Sequence, residues 1–278
     1  MNSAQDSIPD WGASYKLTAA EKWKAKNAEM GRAATEALVG YARPRTGMNV
    51  LDLASGTGEP SISLAMHVGP KGHVTALDLS PELLKVAEQR AQARGLTNFS
   101  TQQADAQELP FPDQSFDLVT SRFGVMFFAQ PEKALREVHR VLRPKARACF
   151  LAWGPFEQPF WSTTMGVVAQ RLGGLTLPPG QDPFRFAQPG SLASVLHQSG
   201  LQEVEEQSRT LPWTWPGKPE EVWELMQAVA TPFLPLLGRI REENRSEIDA
   251  EVLSAMSRYA DGDSVKFGAV VVFASGTR

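Results

Sequence analysis

The chain predicts an α/β protein built on a doubly wound, mostly parallel sheet. Three observations lead there. Between residues 49 and 153, short apolar runs alternate with amphipathic segments of helical period, the pattern of right-handed βαβ crossovers. The first apolar run ends in a glycine turn that opens a helix. The seven tryptophans stand at 11, 23, 153, 161, 213, 215 and 223, so none falls between residues 24 and 152.

Taken in order, Thr18-Ala-Ala-Glu21 fits a capping box and places helices over residues 18–41. Asn49–Ala54 reads as a buried strand, broken by Gly56-Thr-Gly58 before a helix opening at Pro60. His73–Asp78 is the second strand. Ser80 then caps a helix with Pro81 in its first turn and Leu84, Ala87 and Ala91 at helical spacing, stopped at Gly95. The third strand falls at Phe99–Gln103 and the fourth at Phe116–Ser121. The helix from Pro131 aligns Leu135, Val138 and Leu142 before Arg143-Pro144 ends it, and Ala146–Trp153 forms the fifth strand.

Beyond Trp153 the rhythm changes. A Pro/Gly/aromatic stretch runs from Gly154 to Pro189, followed by a helix near Ser191–Ser199 and a strand near Leu201–Leu211. From Lys218 to Asp261 the period is helical, and Val265–Ala274 is the last strand. The expected layout is a helical cover over 1–44 and one domain over 45–278, with cap insertions at about 154–188 and 212–263.

Composition narrows the function. The 278 residues are 42% hydrophobic and 21% charged, ample for a globular core. With 28 Lys+Arg against 31 Asp+Glu, the chain has no basic field for a phosphate backbone, which argues against nucleic acid as a partner. Its one cysteine, Cys149, rules out an internal disulfide and a cysteine-rich metal site, and no metal is expected. The amino terminus lacks a basic region followed by an apolar run, and the longest apolar stretch, Gly268–Ala274, is far short of the ~20 residues of a membrane span. A cytoplasmic protein is expected.

In a doubly wound sheet, ligands sit beyond the carboxyl ends of the strands. Asp52 lies near the end of the first strand, ahead of the glycine turn, whose backbone can approach a ligand closely. Asp78 ends the second strand, 20 residues after Gly58, where a carboxylate can accept both hydroxyls of a ribose. A dinucleotide fits poorly. Counted from Gly56, the third fingerprint position is Ser61, and Glu59 opposes a pyrophosphate. A ligand with a ribose and no phosphates is better matched. Asp105-Ala106 after the third strand can accept an adenine amino group, and Ser121-Arg122-Phe123 ends the fourth strand beside the first. Three acids around one glycine loop suit the cationic sulfonium S-adenosylmethionine.

At these residues the sequence resembles the class I S-adenosylmethionine-dependent methyltransferases, over most of residues 45–155. Val50-Leu-Asp-Leu-Ala-Ser-Gly-Thr-Gly58 looks like their glycine-rich cofactor motif, with Ala54 where most members have a first glycine. Asp105, Leu109–Asp117 and Arg136–Pro144 resemble the branch of ubiquinone and menaquinone biosynthesis C-methyltransferases. The amino-terminal signature of the quinone enzymes is missing, and Lys145-Ala146 replaces their double glycine, so the likeness carries the cofactor site and not the quinone. It implies a Rossmann-like seven-stranded sheet in the order 3-2-1-4-5-7-6, its last strand antiparallel. It also implies S-adenosylmethionine contacts at Asp52, Ala54, Ser55, Gly56, Gly58, Asp78, Leu79, Asp105, Ala106 and Ser121. Both insertions then open over the cofactor as a lid and acceptor pocket.

The activity this implies is methyl transfer to a small, apolar or aromatic acceptor, with Arg122, Phe123, Phe127, Trp153 and Tyr15 as candidate acceptor contacts. Phe128, Phe156, Phe160 and Trp161, with Trp213, Trp215 and Trp223 assigned to the second insertion, supply cap core and a flat apolar wall. An in-line displacement at a sulfonium asks mainly for alignment and exclusion of water. None of His67, His73, His139 and His197 falls at the cofactor end of the sheet. Tyr15, Glu157 and Tyr259 remain candidate bases, and Cys149 reads as core. The alternatives are an NAD(P)-dependent oxidoreductase and a non-catalytic S-adenosylmethionine-binding subunit.

Overall fold

A computed structural model describes residues 31–178 and 180–278. The expected helices at 18–30, and with them Trp11, Tyr15 and Trp23, lie outside the described residues. The first described helix, α1 (Arg32–Ala42), buries Ala34, Leu38, Val39 and Tyr41 against the sheet. Its Tyr41 hydroxyl meets the Ser275 hydroxyl at 2.9 Å, and its ring packs on Phe273 at 5.2 Å.

The α/β half alternates as its periodicity requires: β1 (Asn49–Leu53), α2 (Ser61–Val68), β2 (His73–Asp78), α3 (Pro81–Gln92), β3 (Phe99–Gln103), β4 (Phe116–Arg122), α4 (Pro131–Val141) and β5 (Leu142–Trp153). β1, β2 and β4 read as apolar runs because each lies between two neighbouring strands, with Val50, Leu51, Leu53, Val74, Ala76 and Val119 fully buried, whereas the polar β3 is the edge strand and only half-buried. Ser80 caps α3 through its hydroxyl, which accepts from the Leu83 amide at 3.3 Å.

The second half holds α5 (Pro159–Ser162), α6 (Met165–Arg171), α7 (Ser191–Gln198), β6 (Gln202–Pro216), α8 (Pro219–Val229), α9 (Leu234–Leu237), α10 (Glu242–Ser257), β7 (Ala260–Asp261) and β8 (Ser264–Thr277). The sheet order is β3-β2-β1-β4-β5-β8-β6, and β7 pairs only with β8. β1 to β5 are parallel, and β8 runs antiparallel between β5 and β6. This is the expected winding with one strand added: Asp261 leaves the anticipated helix to form a short hairpin with β8, turned at Gly262 with φ +57°.

Beyond single-residue shifts at the ends of β1, β4 and β6, four differences from the expected boundaries stand out. Leu142 opens β5 instead of closing α4. β6 continues past Leu211 to Pro216, so the segment between β6 and β8 begins at Gly217 and not at 212, and Trp213 and Trp215 are strand residues. β6 is an edge strand, where prolines 212 and 216 cost no ladder bond on the open side. The long helical pattern breaks into α8, α9 and α10, with a 3-10 turn at Thr231–Phe233. The last strand spans Ser264–Thr277, longer at both ends than its apolar run.

Arg140 of α4 holds the loop into β4. It donates to the carbonyls of Phe111 (2.7 Å) and Leu109 (3.0 Å) and pairs with Glu137 and Asp113, while Glu137 accepts from the Leu109 amide at 2.9 Å. The hydrogen bond from Arg140 holds the Glu137 carboxyl below its ordinary range. The Leu109–Asp117 and Arg136–Pro144 motifs are thus two halves of one clamp.

Candidate functional site

The carboxyl end of β1 turns sharply. Ala54, Gly56 and Gly58 have φ of +51°, +54° and +105°, in the left-handed region where only glycine is at ease. The two glycines serve different purposes. A Cβ on Gly58 would stand 2.8 Å from Ile62 Cδ1 and 3.1 Å from Ala87 Cβ, so Gly58 lets the loop press onto α2 and α3. A Cβ on Gly56 would meet nothing within 4 Å: it faces open space. The Ser55 hydroxyl is buried without a hydrogen-bond partner. Arg90 of α3 steadies the loop from behind, donating to the Thr57 carbonyl at 2.8 Å and its hydroxyl at 3.1 Å.

The three acids occupy three environments. Asp52 is fully buried, accepting from the Ser61 hydroxyl at 2.5 Å and the Thr120 hydroxyl at 2.7 Å. Burial raises its pKa to about 6, against the lowering effect of those two bonds. It ties β1, β4 and α2 together beneath the loop. Asp78 is 8% exposed at the end of β2; Oδ2 accepts from the Gly56 amide at 2.8 Å and Oδ1 from the Ser80 amide at 2.9 Å. Burial raises its pKa too. Each oxygen keeps accepting capacity, since a carboxylate offers about four lone-pair sites. Leu79 beside it is 38% exposed, unusual for leucine in this chain. Asp105, after β3, accepts from the Gln107 amide at 2.8 Å and side chain at 2.9 Å, and Ala106 is buried.

Across the strand ends, the Ser121 hydroxyl donates to the Leu53 carbonyl at 2.9 Å. A Cβ on Gly124 would fall 2.5 Å from Ala54 Cβ and 2.6 Å from Ser121 Oγ, so the chain after β4 lies directly on the glycine loop. Among the acceptor candidates, Phe123 has φ +59° and stacks on Trp153 with centroids 4.5 Å apart and planes 17° apart. Phe127 is half-buried against the core. Arg122 turns toward α1, donating to the Gly31 carbonyl at 3.0 Å and the Thr35 hydroxyl at 2.9 Å, so it anchors that helix.

The histidines are engaged elsewhere. His67 meets the Ser63 carbonyl at 2.7 Å and His73 the Ser100 hydroxyl at 2.8 Å, while His139 faces Gly200 and His197 is exposed on α7. Of the candidate bases, Glu157 is exposed and Tyr259 packs on Phe267 at 4.9 Å. Cys149 is fully buried on β5, its thiol pushed up to about 12 by burial. Among the described residues no cluster of His, Cys, Asp and Glu could hold a metal, and no helix is long and apolar enough to cross a membrane.

Four residues at the site escape a reading by strand ends. Thr120 lies inside β4, Ser61 and Arg90 lie on helices, and Gln107 follows the acid it binds. Ser61 stands at the fingerprint's third-glycine position, yet its hydroxyl is spent on Asp52, and Glu59 accepts from the Ser63 hydroxyl at 2.7 Å.

Comparison with known proteins agrees with this geometry. Residues 44–153 match the family described as a methyltransferase domain. The chain is 40% identical over 182 residues to the ubiquinone/menaquinone biosynthesis C-methyltransferase of Idiomarina loihiensis, covering 60% of this chain and 71% of that protein. It is 40% identical over 119 residues to the demethylmenaquinone methyltransferase of Listeria welshimeri, covering 43% of this chain and 50% of that one. It thus spans about half the length of the demethylmenaquinone methyltransferases it matches. The crystal structure of the YcgJ protein of Bacillus subtilis shares the fold, with a TM-score of 0.57 at 23% identity over 88% of this chain and 97% of that one. The strand order, the glycine loop and a 40% identical relative matched over 71% of its length together make this chain a member of the S-adenosylmethionine-dependent methyltransferase family.

Proposed function

We propose that the chain transfers a methyl group from S-adenosylmethionine to a small, apolar or aromatic acceptor. The observation that carries this reading is the pairing of an open Gly56 face with the Asp78 carboxylate, which already holds the Gly56 amide at 2.8 Å. An adenosyl group fits beside them: Asp78 has capacity for ribose hydroxyls, the exposed Leu79 offers a face for adenine, and Asp105 stands where an exocyclic amino group can donate. The partnerless Ser55 hydroxyl would complete the cradle with Ala54, Gly58, Ala106 and Ser121. Asp52 acts through the loop it supports. When bound, the sulfonium supplies an activated methyl group for in-line displacement.

The chain's own contribution is alignment and dryness. The stacked Phe123 and Trp153 close one wall at the strand ends, next to the glycine loop. That wall favours a flat apolar acceptor, and relatives named for quinone substrates are consistent with it. A nicotinamide dinucleotide is disfavoured by Ser61 at the third fingerprint position and by the acid Glu59 beside the would-be pyrophosphate site. A small-molecule partner and a cytoplasmic setting belong to the same reading. The test is incubation with S-adenosylmethionine labelled in the methyl group and the small molecules that co-purify with the chain. Label should appear in an organic-extractable product, and its absence with every such extract and with a panel of simple phenols would contradict the reading.

A further inference from the structure

Three tryptophans carry an indole N–H that nothing in the structure satisfies. Nε1 of Trp161, Trp213 and Trp215 is buried and makes no hydrogen bond, and the residues are only 7%, 4% and 3% exposed. A buried indole N–H normally finds an acceptor, because its desolvation is otherwise uncompensated. Trp223 obeys that rule, donating to Asp249 Oδ1 at 2.8 Å. Among the described tryptophans, the orphaned indole donors therefore fall in one place.

That place is contiguous with the methyl-transfer site. Trp213 and Trp215 are two residues apart on β6 and so share a face of the sheet. Phe160 of α5 sits among all three, with ring centroids 4.4 Å from Trp161, 5.9 Å from Trp213 and 6.1 Å from Trp215. Trp213 also meets Trp153 at 4.9 Å and Phe123 at 6.0 Å. Phe123 immediately precedes Gly124, which lies on the glycine loop. The aromatic cluster thus runs from the cofactor wall to the three unsatisfied donors.

Resting on the methyltransferase reading above, we propose that Trp161, Trp213 and Trp215 are specificity-determining donors of the acceptor pocket. The acceptor they select is a flat, apolar molecule carrying hydrogen-bond-accepting oxygens, as opposed to a hydrocarbon of the same shape. The rings supply the flat contact, and the three N–H groups reward an oxygen that a plain aromatic cannot offer. Each nitrogen is closed to solvent, so on this proposal the acceptor reaches them only as the packing of α5 over the sheet opens. The four-residue α5 is pinned at its base by Gln158, whose side chain donates to the Val270 carbonyl at 3.1 Å and accepts from the Val270 amide at 2.6 Å. The Gly154 amide reaches the same Val270 carbonyl at 2.9 Å, so the pin continues the β5–β8 ladder.

The experiment uses the full chain labelled with ¹⁵N at tryptophan, with S-adenosylhomocysteine present, titrated with 2-naphthol and separately with naphthalene. The Nε1–H resonances of Trp161, Trp213 and Trp215, assigned with Trp161→Phe, Trp213→Phe and Trp215→Phe, should move downfield with 2-naphthol and not with naphthalene. Each variant should bind 2-naphthol at least fivefold more weakly while binding naphthalene as the wild type does. Equal responses to the two probes, or no response to either, would overturn the proposal, and this comparison in the wild-type chain needs no variant to fold. Failure of the wild-type chain to bind S-adenosylhomocysteine, read in the same samples, would overturn the methyltransferase reading itself.

Discussion

Thr120 on β4 donates its hydroxyl to Oδ1 of Asp52 on β1 at 2.7 Å, across a strand pair whose register sets the two residues side by side. Ser61 closes the other oxygen from α2. The result is a carboxyl sealed from water, which costs stability when it ionises.

The pH dependence follows from that burial. The folded Asp52 keeps its proton up to about pH 6, whereas the ordinary carboxyl releases it near 3.8. The folded state therefore binds the extra proton between those values. The stability it contributes is fully present below pH 3.8 and is lost as pH rises through about 6, a change on the order of 3 kcal/mol. Asp52→Asn has no such proton. Urea unfolding of both proteins from pH 4 to 7 should show the wild type losing stability relative to the variant over this window, and parallel profiles would refute the account.

Gly56 and Gly58 should separate binding from stability. Gly58→Ala forces a methyl against Ile62 and Ala87 at φ +105°, so it should lower stability by about 2 kcal/mol or more in thermal unfolding. Gly56→Ala meets no neighbour and should cost about 1 kcal/mol of backbone strain, yet weaken S-adenosylhomocysteine binding more than tenfold by calorimetry. Equal effects of the two changes on both readouts would contradict the division of labour.

Arg140→Met removes the clamp on the Leu109–Asp113 loop. Its donors reach two backbone carbonyls and two carboxylates, so the loss should be about 2 kcal/mol in urea unfolding. Proteolytic nicking between β3 and β4 should rise in parallel. A variant as stable and as resistant as the wild type would show the clamp to be dispensable.

Much of this molecule is written in local pattern. β2 begins and ends where its apolar run does, because a buried strand between turns has no other way to satisfy its backbone. The glycine loop and Asp78 are legible because strand ends are where the fold exposes a ligand to the chain. β6 runs past Leu211 through Pro212 to Pro216 because it is an edge strand, and only the sheet order reveals the open side that tolerates them. Arg122 illustrates a different limit: an arginine at a strand end reads equally as an anion holder or an anchor, and the carbonyl of Gly31 and hydroxyl of Thr35 it meets are some 90 residues away in the chain. Thr120 and Arg90 support the loop from elements that no motif marks, since their role exists only once β1, β4 and α3 are assembled.

The central claim is that the Gly56–Asp78 cradle binds the adenosyl cofactor. Calorimetric titration of S-adenosylhomocysteine into the wild-type chain and into Asp78→Ala tests it most directly. One site of micromolar affinity in the wild type, weakened at least tenfold by the substitution in a protein that stays folded, is the expected result. No measurable binding by the wild type, or equal affinity in both, would contradict it.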